Sequence, residues 1–206
     1  NGELADAPPC AYPTHRADDW SPLGAPESPE VQCYDQKAYY TAQDEITQMN
    51  ASFVVPPLPT QAGRQTVYLW PGFKASSPTI GRPVLQPVLQ YQGDGRWKLQ
   101  SWAVGVPAGA VTGPAIDVKE GDLITTYMQL NGDTWTIYGK NTNTGEETVL
   151  RISKRQAGRQ LYTNAVFVSE NVMARRQCDY YPANTGIEFT GIRVNGMDGA
   201  PEWKVG

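Results

Sequence analysis

The chain has 206 residues, of which 40% are hydrophobic, 10% aromatic and 18% charged, with a net charge of −4. Its 20 glycines and 17 prolines, set against so few charges, exclude a coiled coil, a helical bundle and a highly charged disordered protein. No apolar run is long enough to span a bilayer, no signal or lipidation motif opens the sequence, and the acidic balance argues against a nucleic-acid partner.

Residues 1–45 carry nine acidic and two basic side chains, a net −7, whereas residues 46–206 carry twelve acidic and fifteen basic, a net +3. Within the first stretch, residues 1–33 hold six prolines (Pro8, Pro9, Pro13, Pro22, Pro26, Pro29) and no sustained apolar period. Such a segment cannot bury enough surface to fold alone. The expected division is an acidic, Pro-rich arm over 1–45 and one β domain over 46–206. The arm is free to lie across the domain, to stay loose, or to mediate self-association with a neighbouring copy. Cys10 and Cys33 flank it, where a disulfide would shorten a costly loop; a Cys33–Cys178 pairing and three free thiols are the alternatives. Asn50-Ala51-Ser52 is an N-glycosylation sequon. Together these features point to a secreted, extracellular glycoprotein.

From residue 46 the pattern is strands separated by turns. Ile46–Val55 stops at Pro56-Pro57, and Thr66–Trp70 at Pro71-Gly72. Val84–Tyr91 contains Pro87, which predicts an edge strand or a bulge. Gly93-Asp94-Gly95 then leads into Arg96–Val104 as a hairpin. Ala115–Val118 and Leu123–Leu130 flank the turn Glu120-Gly121-Asp122, and Asn131-Gly132-Asp133 joins the latter strand to Thr134–Lys140. Asn143-Thr144-Gly145 leads to Thr148–Ser153, and Ala165–Ser169 and Ile187–Val194 complete the set. Only Ala157–Leu161 suggests a helix. Short strands at this spacing predict an all-β protein, a two-sheet antiparallel sandwich or jelly roll.

Few residues offer chemistry. The single histidine, His15, lies in the arm, which leaves a Ser-His-Asp or Cys-His system without a base on the domain. Three scattered cysteines have no zinc spacing, and Asp94, Asp117, Asp122 and Asp133 read as turn residues rather than a calcium loop. No cofactor and no metal are expected. Arg96, Lys98, Gln100 and Trp102 share one face of their strand, as do Gln86, Val88 and Gln90 on theirs. A sheet presenting amides, a cation and tryptophan suits an extended ligand, so Trp70, Gln86, Gln90, Lys98, Gln100 and Trp102 are the candidate ligand-binding residues. Core packing is the plainer role for Trp70, Trp97, Trp102 and Trp135. The basic run Arg151, Lys154, Arg155 and Arg159 reads as a solvated face able to seat an acidic partner.

Several short segments, in order, resemble the glutamic peptidases, secreted acid proteases with a concanavalin A-like sandwich. They are Asn50-Ala51-Ser52-Phe53-Val54-Val55-Pro56, Tyr68-Leu69-Trp70-Pro71-Gly72, Val84-Leu85-Gln86, Ser101-Trp102, Glu120-Gly121-Asp122-Leu123-Ile124 and Thr163-Asn164-Ala165-Val166-Phe167-Val168. Glu188-Phe189-Thr190-Gly191 follows them. The resemblance implies a substrate-contacting Trp70 and a catalytic glutamine at Gln86, whose amide stabilises the oxyanion. The family's general base, a glutamate, falls at Val166, which cannot accept a proton. Glu170 is four residues on, about 13 Å along the strand.

The leading expectation is a secreted, non-peptidase relative of these enzymes that binds a glycan or an extended peptide in a concave cleft. One alternative is a structural subunit using the acidic arm. The other is an enzyme, whether lyase, glycosidase or residual acid peptidase, with Gln86 and a base such as Tyr68, Tyr138 or Glu170.

Overall fold

Alternation of apolar and polar residues decides which way each strand faces. The computed structural model describes residues 36–61, 63, 65–75, 83–172, 181–182, 187–198 and 204–205. Thirteen strands form there: β1 (Gln36–Thr41), β2 (Gln48–Val54), β3 (Thr66–Ala75), β4 (Val84–Tyr91), β5 (Trp97–Val106), β6 (Gly109–Val118), β7 (Leu123–Asn131), β8 (Thr134–Asn141), β9 (Glu147–Ser153), β10 (Tyr162–Val172), β11 (Thr190–Val194), β12 (Met197–Asp198) and β13 (Lys204–Val205). They make a seven-stranded sheet in the order β13-β1-β10-β3-β4-β5-β6 and a six-stranded sheet in the order β12-β11-β2-β7-β8-β9, antiparallel throughout. The two-sheet sandwich read from the turn spacing is therefore present.

Between the sheets lies one apolar core. Phe73, Leu85, Leu89 and Leu99 face Phe53, Ile124, Trp135 and Ile137, all at most 1% exposed. Trp135 meets Phe73 and Tyr162 edge-on at 5.6 and 5.3 Å between ring centroids. Trp97 and Trp135 are thus core residues, each fully buried. On one side the sheets close on each other, because β6 and β9 come together. A Cβ on Gly113 would lie 2.5 Å from the Val149 carbonyl oxygen, so only glycine fits there. Beside it the Ser101 amide donates to Thr148 Oγ1 (3.0 Å), and Ser101 Oγ to the Thr148 carbonyl (3.3 Å).

Four expectations change. Gln36–Thr41 is a strand of the seven-stranded sheet, with Ala38 in the core, so sheet structure begins inside the stretch assigned by charge to the arm. β3 does not stop at Pro71-Gly72 but runs on to Ala75. β4 is interior despite Pro87, because the register that pairs Leu69 with Leu89 and Phe73 with Leu85 sets Pro71 opposite Pro87. Two residues without N–H groups face each other, and the ladder is interrupted around them between Leu69–Leu89 and Phe73–Leu85. Finally, there is no helix among the described residues. Ala157–Leu161 lies in turns, with Gly158 and Arg159 at φ of 90° and 53°. Cys10, Cys33, Cys178, His15 and the Pro-rich residues 1–33 lie outside the described residues.

Candidate functional site

Residues of the seven-stranded sheet that do not face the core collect on its outer side in cross-strand rows. In one row Tyr39 of β1 pairs with Val166 of β10 and Val166 with Gly72 of β3. The β3–β4 register continues the row to Gln86, which pairs with Trp102 of β5. Val166 and Gln86 thus stand two strand spacings apart, about 10 Å between backbones, with Gly72 between them. The next row holds Lys37, Val168, Trp70, Val88 and Gln100, and the one beyond it Glu170, Tyr68, Gln90 and Lys98. All six residues proposed from the sequence as ligand contacts share this face.

The centre is recessed. Trp70 (7%), Val88 (1%) and Val166 (6%) form a second apolar cluster separate from the main core, with Tyr39, Tyr68 and Trp102 against it. Gly72 makes this possible, since a Cβ there would lie 2.8 Å from Trp70 Cζ3 and 2.9 Å from the Leu85 carbonyl. The indole therefore lies over the glycine, between Val166 and Gln86.

The polar groups of the face divide in two. Gln90 Nε2 donates to Gln100 Oε1 (3.0 Å), and Gln100 Nε2 to the Gly113 carbonyl (2.9 Å), a chain of amides lacing β4 to β5 and β6. Lys98 Nζ binds Asp94 Oδ2 at 3.1 Å, with Arg96 on the same carboxylate at 3.5 Å. These side chains are engaged within the sheet. By contrast, Gln86 Oε1, Trp70 Nε1 and Trp102 Nε1 are buried without a hydrogen-bond partner. Trp97 and Trp135 also bury lone indole nitrogens in the core, so the Gln86 oxygen is the more telling of the three. A buried acceptor without a donor costs about 1–3 kcal/mol, and such groups collect where a ligand completes them.

The candidate bases part company. Tyr138 lies on the outer side of the other sheet, stacked on Tyr127 (4.6 Å, 20°) and donating to Glu147 Oε2 at 2.7 Å. Burial and then that carboxylate push its pKa up to about 12. It takes no part in this site. Tyr68 pairs across strands with Glu170, two rows from Val166, and meets Trp102 edge-on at 6.5 Å. Burial, then the Glu170 charge, raises the Tyr68 phenol above its ordinary range. No carboxylate occupies the rows of Val166 and Trp70 among the described residues. Asn50, the sequon residue, sits mid-sheet on β2 between Arg193 and Tyr127, half-buried, with its amide oxygen buried. Asp122 is a turn anchor, accepting from Asn141 Nδ2 (2.7 Å) and the Lys119 amide (3.0 Å). Sequence reasoning missed Lys37 and Tyr39, read as arm, and Lys74, read as lying beyond a strand end.

Three solved structures share this fold. Scytalido-glutamic peptidase with a transition state analog inhibitor matches at 18% identity and a TM-score of 0.59, over 79% of this chain and 80% of that one. The same peptidase with a peptide based transition state analog matches at 22% and 0.53, over 66% and 63%. SCP-B, a member of the eqolisin family in complex with the tripeptide Ala-Ile-His, matches at 21% and 0.51, over 66% and 62%. No curated protein matches the chain. The family model described as the Peptidase A4 family matches residues 38–205, which takes in both sheets, and the chain belongs to that family.

Proposed function

We propose that this chain is a secreted, non-peptidase member of the Peptidase A4 family that binds an extended ligand, a glycan or a peptide, across the outer face of its seven-stranded sheet. The observation that carries the reading is the row Val166–Gly72–Gln86. A nine-tenths buried glutamine there keeps an unpartnered carbonyl oxygen, while the side chain across from it is a valine packed on Trp70. Recognition and oxyanion donors are retained, but a general base is not, and such a base contributes about a hundredfold to ten-thousandfold. The reading of secretion rests on the cysteines, the sequon and the kinship with secreted proteases.

The test pairs two assays. Acid proteolysis of a denatured protein substrate is expected to stay at the blank, and Val166→Glu to restore a trace at most. A carboxyl set beside Trp70 and Val88 would be desolvated and held protonated. In the second assay, Trp70→Ala and Gln86→Ala are each expected to weaken binding to a peptide and glycan panel. Robust cleavage by the unmutated chain, abolished by Gln86→Ala, would overturn the reading.

A further inference from the structure

The binding face carries a charge pattern of its own. Lys37 of β1 stands in the Trp70 row, beside Val168. Lys74 of β3 stands one row to the other side of Gln86, between Asn164 and Val84. Lys37 is exposed and Lys74 half-buried. Neither has an acidic partner among the described residues, whereas Lys98 and Arg96 both pair with the one carboxylate of Asp94. The three rows from Lys74 to Lys37 contain no Asp or Glu from β1 to β6. In a chain of net charge −4, this makes a local cationic field around a recessed, partly aromatic floor. The two backbones lie about two strand spacings and four residues apart, roughly 16 Å, which the lysine stems narrow.

From this we infer that the face is selective for an acidic polysaccharide, a polyuronate whose carboxylates bind Lys37 and Lys74 while a hydroxyl between them donates to Gln86 Oε1. The inference rests on the binding function proposed above and names its ligand class. A glycan suits the face better than a peptide strand. Trp70, Gln86, Val88 and Val166 lie on strands flanked on both sides, so the centre of the site offers no open sheet edge for main-chain pairing. Recognition must come from side chains, here indole faces, one free amide oxygen and two ammonium groups.

The experiment is titration calorimetry on the full chain with hexameric oligogalacturonate and oligoalginate, neutral cello- and laminari-hexaose, and oligoglutamate. The acidic glycans are expected to bind, with affinity that falls as salt rises. Lys74→Ser and Lys37→Ser should each weaken that binding about tenfold, the scale of one charged hydrogen bond, while leaving the melting temperature unchanged. Equal binding of the neutral hexaoses, or an oligoglutamate that binds as tightly with the same lysine dependence, would overturn the polyuronate assignment. Binding of a neutral glycan or a peptide that depends on Gln86 alone would overturn it too, with the proposed binding function intact. Silence across the whole panel would sink both.

Discussion

Gln86 and Gln90 lie four residues apart, two on either side of Val88, on one face of one strand, yet they do opposite things. Gln90 spends its amide on Gln100, whereas Gln86 leaves a buried oxygen with nothing to accept. Removing an orphan acceptor relieves a cost, while removing a bonded one creates a new orphan. Gln86→Met is therefore expected to raise stability by about 1 kcal/mol and to abolish ligand binding, as substitutions at sites kept for function commonly do. Gln90→Met is expected to lower stability by about 1 kcal/mol, since Gln100 Oε1 loses its donor. Denaturant unfolding of both variants checks the sign. A Gln86→Met protein less stable than its parent would show that the amide has a structural role. The tyrosines differ in place rather than cause: burial and then Glu170 raise the Tyr68 phenol within the site, and burial and then Glu147 raise that of Tyr138 on the far sheet.

Strands were legible wherever a turn residue met an alternating run. Asn131-Gly132-Asp133 between β7 and β8 is the clearest case, and the expected core roles of Trp97 and Trp135 follow from the same alternation. Strands went unseen where proline or glycine stood for something other than a break. Pro71 and Pro87 are tolerated in the sheet interior because each answers the other, a fact of pairing that neither local sequence contains. The glycine and proline of Gly113-Pro114 hid the first half of β6, where glycine is demanded by Val149 of another sheet. β1 was hidden by the charge count around it. Those same misreadings concealed half of the site, since Lys37, Tyr39 and Lys74 lie on the strand segments that were missed. Turns, by contrast, are local. Asn141 is fully buried, donates to Asp122, and accepts from the Asn143 and Thr144 amides at 2.9 and 3.3 Å, tying the turn before β7 to the one after β8. Asn141→Ala is expected to cost about 1–3 kcal/mol, measured as a lower denaturant midpoint without change of slope.

At the scale of the molecule the two long sides of the sandwich are unlike. Along one, β6 meets β9 at Gly113 and β5 is bonded to β9 through Ser101 and Thr148. Along the other, each sheet ends in a two-residue strand near the C-terminus, β12 and β13. Native-state hydrogen exchange is expected to show protection falling from β5, β8 and β9 toward β1 and β11, in keeping with local opening where few bonds must break. Uniform protection across both sheets would contradict this. The asymmetry also gives any opening of the molecule a direction. A sandwich bound along its Gly113 side like the spine of a book admits water to its core from the fore-edge. β13 covers the free edge of β1 and β12 that of β11 by two residue pairs each, so a cut or an extension near Lys204 is expected to free β1 first.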